Sequence, residues 1–270
     1  MTLPEFETIA LAVDGPLGRI TLNRPERLNA VGATMMRDLV AAARFFDEQM
    51  DVRVVIVSGA GRAFCAGADL EDSPIGGASA RSGKSWAERR EIGQLGLRMA
   101  DALEGMRAVT IAQVHGYAVG GGLVLAAVCD LRVAAEDTVF SIPEVELGIP
   151  LAWGGIPRLV REIGPALTKE LVMTCRRFTP DEAKAAGFLN RVVPRAQLAA
   201  EVESLAARLL EMPSVPVTIT KEHVNSVARA MGSGSTAFAD GDALLSAVFD
   251  PESLEAGQKY IARTVRRKKR

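Results

Sequence analysis

The chain has 270 residues, of which 48% are hydrophobic, enough for one large domain or for a core with a small appendage. Its 32 basic and 33 acidic residues nearly cancel, so no overall charge attracts nucleic acid, and no apolar run reaches the about 20 residues of a membrane span. We therefore expect neither nucleic acid nor a membrane among its partners. The cysteines form no CxxC pair, which predicts no disulfide framework, no metal site and a reducing, cytoplasmic compartment.

The first part of the chain predicts two strands, a helix and a third strand. Residues 6–13 and 19–23 read as strands around a turn, and residues 34–49 carry apolar side chains at helical spacing. Thr34 is the predicted N-terminal cap of that helix. Residues 52–58 are then predicted to form a buried strand.

The order strand, strand, helix recurs further along the chain. The apolar run 109–114 leads to a glycine tract, a short predicted helix over 123–128 and a predicted strand over 130–134. This repetition predicts an α/β core of stacked ββα turns. From residue 195 onward the chain reads as helices only, with the Gly-Ser-Gly-Ser run 232–235 as a break. Residues 72–85, rich in Gly, Ser and Ala, predict a mobile loop.

The glycine tract over 116–122 reads Gly-Tyr-Ala-Val-Gly-Gly-Gly. Consecutive glycines allow the backbone to approach a ligand closely, at a point where the free N–H groups of a helix begin. Such a place favours a phosphate, a carboxylate or a carbonyl oxygen that becomes anionic during a reaction. Close helix packing is the alternative explanation for a glycine tract considered alone.

A second segment of small residues follows the predicted strand 52–58. Ala66, Gly67 and Ala68 again allow close approach of the backbone, directly after a buried strand. Ligands of open α/β layers bind where strands end. The two segments could therefore direct two N–H donors at one oxygen.

Six stretches, in order along the chain, resemble the enoyl-CoA hydratase/isomerase (crotonase) superfamily of acyl-CoA enzymes. They are residues 20–30, 64–70, 115–130, 140–150, 154–159 and 183–193. The resemblance implies a crotonase-like spiral of ββα repeats over 1–194, which binds acyl-CoA and catalyses. It implies that the helical region 195–270 assembles trimers, or dimers of trimers.

The resemblance also implies the catalytic groups. The amides of Ala68 and Gly121 would stabilise a thioester enolate, and the family supplies carboxylates at the positions of Val124 and Glu144. Hydratases of the family use both carboxylates, whereas this chain keeps only Glu144. The family's Δ3,Δ2-enoyl-CoA isomerases work with a single glutamate, so the sequence favours double-bond isomerisation.

Two other functions stay open at this point. One is a 2-enoyl-CoA hydratase in which Glu144 handles water alone or with Glu146, which could point to the same side of an extended segment. The other is a catalytically weak acyl-CoA-binding protein. Ala152 stands where the family's dehalogenases and dienoyl-CoA isomerases carry an aspartate, which disfavours those two reactions.

The resemblance places the coenzyme A part of the substrate against a further set of residues, and it implies no separate cofactor. Trp153 is predicted to shape the acyl pocket or the core, while Tyr260 and Arg263 stand near where the family's last helix reaches a neighbouring subunit's CoA. The other predicted substrate-binding residues are Arg27, Leu28, Ala66, Asp69, Leu70 and Gly120.

Two unrelated enzyme classes fit poorly. Residues 59–64 begin as G-x-G-x-x, but Phe64 replaces the third glycine of a dinucleotide-binding turn. A serine hydrolase would need a G-x-S-x-G elbow, which does not occur in the sequence.

Overall fold

The computed structural model of the chain describes residues 2–70, 85–231 and 236–268. Most of the predicted loop 72–85 and the predicted break 232–235 lie outside the described residues. Ser85, at the edge of the first gap, caps the following helix: its side chain accepts a hydrogen bond from the Glu88 N–H, and the Glu88 carboxylate accepts one from the Ser85 N–H.

The strands form two sheets. In chain order they are β1 (Ile9–Asp14), β2 (Leu17–Leu22), β3 (Val54–Gly59), β4 (Val109–Val114), β5 (Tyr117–Val119), β6 (Leu131–Ala135), β7 (Val139–Ser141) and β8 (Arg191–Val193). The larger sheet has the order β1-β2-β3-β4-β6-β8, in which β1 runs antiparallel to β2 and the other pairs are parallel. Strands β5 and β7 form a separate parallel pair.

The helices lie between and after these strands. They are α1 (Ala33–Glu48), α2 (Trp86–Glu104), α3 (Gly121–Ala127), α4 (Gly155–Thr174), α5 (Pro180–Ala185), α6 (Leu198–Glu211), α7 (Ser214–Ala230), α8 (Asp240–Phe249) and α9 (Pro251–Lys268). Helix α4 is kinked at Gly164, just before Pro165. Among the described helices, none combines the length and the apolarity that crossing a bilayer requires.

The larger sheet is buried on both faces, which explains why β3 reads as a continuous apolar run. Val55 and Val57 belong to the main hydrophobic core with α1 and α2, whereas Val54 and Ile56 belong to a smaller core formed with α6. The predicted ββα order and the purely helical segment after β8 are therefore confirmed within the described residues.

The predicted cap of the first helix is wrong. Helix α1 begins at Ala33, its N-cap is Gly32 in extended conformation, and no side chain makes a capping hydrogen bond there. The reason is that Val31 is held as an extended bridge: its N–H donates to the Gly67 carbonyl at 2.8 Å, and its carbonyl accepts from the Asp69 N–H at 3.0 Å. The chain therefore turns into the helix immediately after that bridge, before Thr34.

Candidate active site

The two small-residue segments lie side by side. The Cys65 N–H donates to the Tyr117 carbonyl at 2.9 Å, and the Val119 N–H donates to the Cys65 carbonyl at 3.1 Å. A Cβ built on Gly67 would lie 2.7 Å from the Val119 oxygen and 3.8 Å from the Gly121 nitrogen. The end of the segment after β3 thus meets the start of α3.

This arrangement leaves two backbone N–H groups without internal acceptors. The bridge to Val31 uses the carbonyl of Gly67 and the N–H of Asp69, so the Ala68 N–H points away from that neighbour. Gly121 is the first residue of α3, so its N–H has no acceptor within the helix. Among the described residues, neither N–H makes a hydrogen bond.

Ala68 and Gly121 line one cavity of about 510 Å³. Its walls also come from the segment after β7 and from α8 and α9, and they are mainly apolar. Among the described residues that line the cavity, Glu144 is the one that carries a charge. The lining residues of the later segments are Pro143, Glu144, Leu147, Gly148, Ile149, Pro150, Leu151, Ala152, Trp153, Leu244, Ala247, Val248, Ser253, Leu254, Gly257, Gln258, Tyr260 and Ile261.

Glu144 follows β7 in a tight turn, in which its carbonyl accepts the Ile149 N–H at 3.0 Å. The residue is half-buried, but its Oε2 atom is inaccessible to water and has no hydrogen-bond partner among the described residues. This burial raises the pKa of the Glu144 carboxyl to about 7. A carboxyl that titrates near neutral pH can both accept and return a proton.

The carboxylate of Glu144 lies directly against the glycine tract. A Cβ built on Gly120 would lie 2.3 Å from the Glu144 Oε1 atom and 3.0 Å from its Cδ. Gly120 also has φ +52°, which favours glycine. The carboxylate, the free N–H of Gly121 and the Ala68 segment are thereby gathered at one end of the cavity.

The sequence model of the enoyl-CoA hydratase/isomerase family matches residues 14–264. This match covers nearly the whole chain and includes every residue that forms the cavity end described above. The chain belongs to the enoyl-CoA hydratase/isomerase family.

Individual relatives agree with the family match. The chain is 36% identical over 221 residues to a probable enoyl-CoA hydratase of Mycobacterium bovis, covering 82% of each chain. It is 34% identical over 239 residues to a crotonyl-CoA hydratase of Syntrophomonas wolfei, covering 86% of this chain and 89% of the relative. The crystal structure of a probable enoyl-CoA hydratase from Mycobacterium thermoresistibile superposes with a TM-score of 0.77 at 31% identity, covering 88% of this chain and 94% of that one.

Val124 occupies the position at which the resemblance implied a second carboxylate for hydratases, and here that position is apolar and internal. Val124 is 1% exposed and does not line the cavity. A Cβ built on Gly155 would lie 2.9 Å from the Val124 Cγ2 atom and 2.9 Å from the Leu151 Cδ2 atom. The side chain therefore packs in the core between α3 and the start of α4.

The predicted CoA-binding residues at 27–28 and 66–70 divide into two groups. Ala66 and Leu70 line the cavity. Asp69 is 4% exposed, and its carboxylate pairs with Arg24 at 2.8 Å and with Arg27 at 3.7 Å. The Leu28 carbonyl accepts the Ala66 N–H at 2.9 Å. Arg27, Leu28 and Asp69 thus hold the backbone that carries the cavity wall.

Glu146 and the C-terminal residues occupy a different environment from Glu144. Glu146 is exposed, lies outside the cavity lining and forms an ion pair with Arg263. Arg263 also stacks over the ring of Tyr260 at 5.5 Å. Tyr260 lines this chain's own cavity, and burial together with the charges of Glu146 and Glu144 raises the pKa of its hydroxyl.

The sequence analysis did not predict that α8 and α9 contribute residues to the cavity wall. Leu244, Val248 and Gln258 line it, although they belong to the region predicted to serve assembly. Their amphipathic spacing predicts helices but does not tell which surface each helix covers. A usable signal was Gly93, a glycine inside a helical pattern: a Cβ built there would lie 3.1 Å from the Cα of Gly241, so α2 and α8 approach closely at this point.

Proposed function

We propose that the protein is an enoyl-CoA isomerase that moves a double bond of a 3-enoyl-CoA thioester to the 2-position. The observation that carries this proposal is the single acidic side chain of the described cavity lining, Glu144, whose buried Oε2 atom has no hydrogen-bond partner among the described residues and whose carboxyl has a pKa of about 7. One group of this kind is sufficient to carry a proton between two carbons.

The proposed reaction needs no other protein side chain. The thioester oxygen accepts hydrogen bonds from the N–H groups of Ala68 and Gly121. Glu144 removes a proton from C2, and the electron pair of that C–H bond passes into a dienolate that the two N–H groups stabilise. The same carboxyl returns the proton to C4, so that the C3–C4 double bond becomes a C2–C3 double bond and no atom is gained or lost.

Coenzyme A enters only as part of the substrate in this scheme, and no separate cofactor or metal is required. Ala66 and Leu70 would contact its pantetheine end, as wall residues of the cavity next to Ala68. Arg27, which is exposed and beside Asp69, would reach its phosphates through a guanidinium suited to phosphate oxygens. Arg263 is a further candidate for the same contact.

We also propose a cytoplasmic location, because a reducing compartment keeps the three cysteines as free thiols.

A second candidate is a 2-enoyl-CoA hydratase, which the names of several relatives favour: these proteins are called enoyl-CoA or crotonyl-CoA hydratases. In that reaction Glu144 alone would have to orient water for addition at C3 and also protonate C2. Glu146 could assist only if it left its ion pair with Arg263.

We also propose that the chain assembles as a trimer or as a dimer of trimers. Helix α7 buries none of its residues within the single chain. Several large apolar side chains lie exposed along it and at its end: Val215, Ile219, Val224, Val227 and Met231. Self-association would cover such a surface.

Parallel assays of the purified protein with 3-enoyl-CoA and 2-enoyl-CoA thioesters test the proposed reaction. We expect faster conversion of the 3-enoyl substrates and loss of that conversion in Glu144→Gln. Efficient hydration without isomerisation would favour the hydratase instead.

A further inference from the structure

Trp153 adopts a backbone conformation that is unusual for a large side chain. Its φ is +60°, and the next residue, Gly154, has φ +68°. A non-glycine residue in the left-handed region persists only where the surrounding structure fixes it. The contacts of this turn therefore indicate what the conformation achieves.

Two side chains hold the turn. Arg158, which is 4% exposed, donates to the carbonyl oxygens of Trp153 and Gly154, each at 3.2 Å. The same guanidinium is paired with Asp101 at 2.9 Å. The Gly154 N–H donates to the Asp240 carboxylate at 2.8 Å, which ties the turn to α8.

The turn places the indole ring across the gap between two helices. A Cβ built on Gly96 of α2 would lie 2.0 Å from the Trp153 Cδ1 atom and 2.2 Å from Nε1. A Cβ built on Gly121 of α3 would lie 2.1 Å from Cζ3 and 2.5 Å from Cη2. Opposite ends of the ring thus contact the two glycines, and the ring forms a wall of the cavity.

We propose that the Trp153 indole is the wall that limits the length of the acyl chain. This inference rests on the proposed acyl-CoA site, because the Gly121 N–H would bind the thioester oxygen. The acyl chain then leaves the carbonyl beside the ring that covers Gly121. Since Gly96 closes the far side of the ring, no further space is open to the chain in that direction.

Binding of saturated acyl-CoAs, from butanoyl to hexadecanoyl, measures this limit without depending on turnover. For the unmodified protein we expect affinity to increase with acyl-chain length up to a limiting length and then to stay constant. In Trp153→Leu this limiting length should be greater. Room for two further methylene groups corresponds to about tenfold tighter binding of chains just beyond the native limit.

Gly96→Ala provides a test in the opposite direction. Its new Cβ would push the indole into the cavity, so we expect the limit to move to shorter chains. In a Trp153→Ala background the same change should be tolerated, because the Cγ, Cδ1 and Nε1 atoms that clash with the new Cβ are absent. Trp86→Leu is the matched control: Trp86 is 62% exposed, lies outside the cavity lining and should leave the profile unchanged.

An unchanged chain-length profile in both Trp153→Leu and Gly96→Ala, with native circular dichroism, would overturn the proposed wall. If Trp153→Leu does not fold, Trp153→Phe and Gly96→Ala carry the same test. Failure of the unmodified protein to bind any acyl-CoA would contradict the proposed function, and the wall with it. Binding with an unaltered profile would contradict the wall alone.

Discussion

Gly120 and Glu144 are in such close contact that any side chain at position 120 would displace the Glu144 carboxylate. A Cβ there would lie 2.3 Å from the Glu144 Oε1 atom. The glycine tract therefore does more than expose backbone N–H groups, because Gly120 also provides the surface against which the carboxylate lies. Position 120 links the two halves of the proposed site.

Replacement of Gly120 by alanine should displace the carboxylate and lower kcat by a factor on the order of 10². The variant should stay folded, because an alanine in this backbone conformation costs about 1–3 kcal/mol and the displaced group is the end of a flexible side chain. Gly15→Ala is the matched control, since Gly15 has φ +54° but a Cβ there would meet no atom within 4 Å. Equal activity of the two variants would contradict the role given to the contact.

The N–H of Gly121 can be removed by proline only if space is first made for the ring. Proline is compatible with the first position of a helix, but its Cβ would collide with Trp153. We therefore compare Trp153→Leu with the double variant Trp153→Leu/Gly121→Pro. The double variant should turn over a short-chain substrate about 10² to 10³ times more slowly. Similar rates would show that this N–H does not stabilise the enolate.

The burial of Glu144 should make the protein less stable at high pH. Its pKa is about 7 in the folded chain against 4.5 for an ordinary glutamate, so the folded state binds more protons between these values. Stability therefore falls as the pH rises from 4.5 to about 7 and then levels off. Glu144→Gln should be more stable than the unmodified protein at pH 8, by roughly 3 kcal/mol, and equal to it at pH 4. Urea unfolding at the two pH values measures the difference.

Glu146→Gln should change little, because this side chain is exposed and its ion pair with Arg263 lies at the surface. Exposed pairs typically contribute about 0–1 kcal/mol. We expect a kcat within about twofold of the unmodified protein, a range that corresponds to less than 0.5 kcal/mol. A large loss of hydration or isomerisation would instead assign Glu146 a direct part in the reaction.

Assembly should depend on the apolar surface of α7. Sedimentation is expected to give a trimer or hexamer at micromolar concentration, and Val224→Asp with Val227→Asp should shift it toward monomer, because both residues are exposed in the single chain. Arg208→Ala, at an exposed position on α6, is the control. A monomeric unmodified protein would refute the proposed assembly.

The sequence predicted the layers of the fold because the apolar periodicity of strands and helices reports burial directly. Strand β3 was predicted over 52–58 and lies at Val54–Gly59. The predicted start of α1 was wrong because the bridge between Val31 and Ala68 determines where the helix begins. Such long-range contacts leave no local signal in the sequence.

The sequence predicted two segments of small residues at strand ends, and the structure brings Ala68 and Gly121 to one cavity. The site was not predictable where distant segments meet. The spacing of Glu144 and Glu146 allowed both to face one cavity, but the tight turn after β7 and the position of Arg263 on α9 separate them. The Val124 position also illustrates this limit. The resemblance implied that hydratases carry a carboxylate at this position, whereas the structure shows a core site in which a carboxylate would be buried without a partner.

The central claim is that Glu144 alone moves the proton and that isomerisation therefore exceeds hydration. The most direct measurement compares kcat/KM of the purified protein for a 3-enoyl-CoA and for the 2-enoyl-CoA of the same chain length, with Glu144→Gln beside it. The account predicts a higher kcat/KM for the 3-enoyl substrate, rising with pH through an apparent pKa near 7 and lost in the variant. Rapid hydration of the 2-enoyl substrate, with no detectable conversion of the 3-enoyl one, would contradict it.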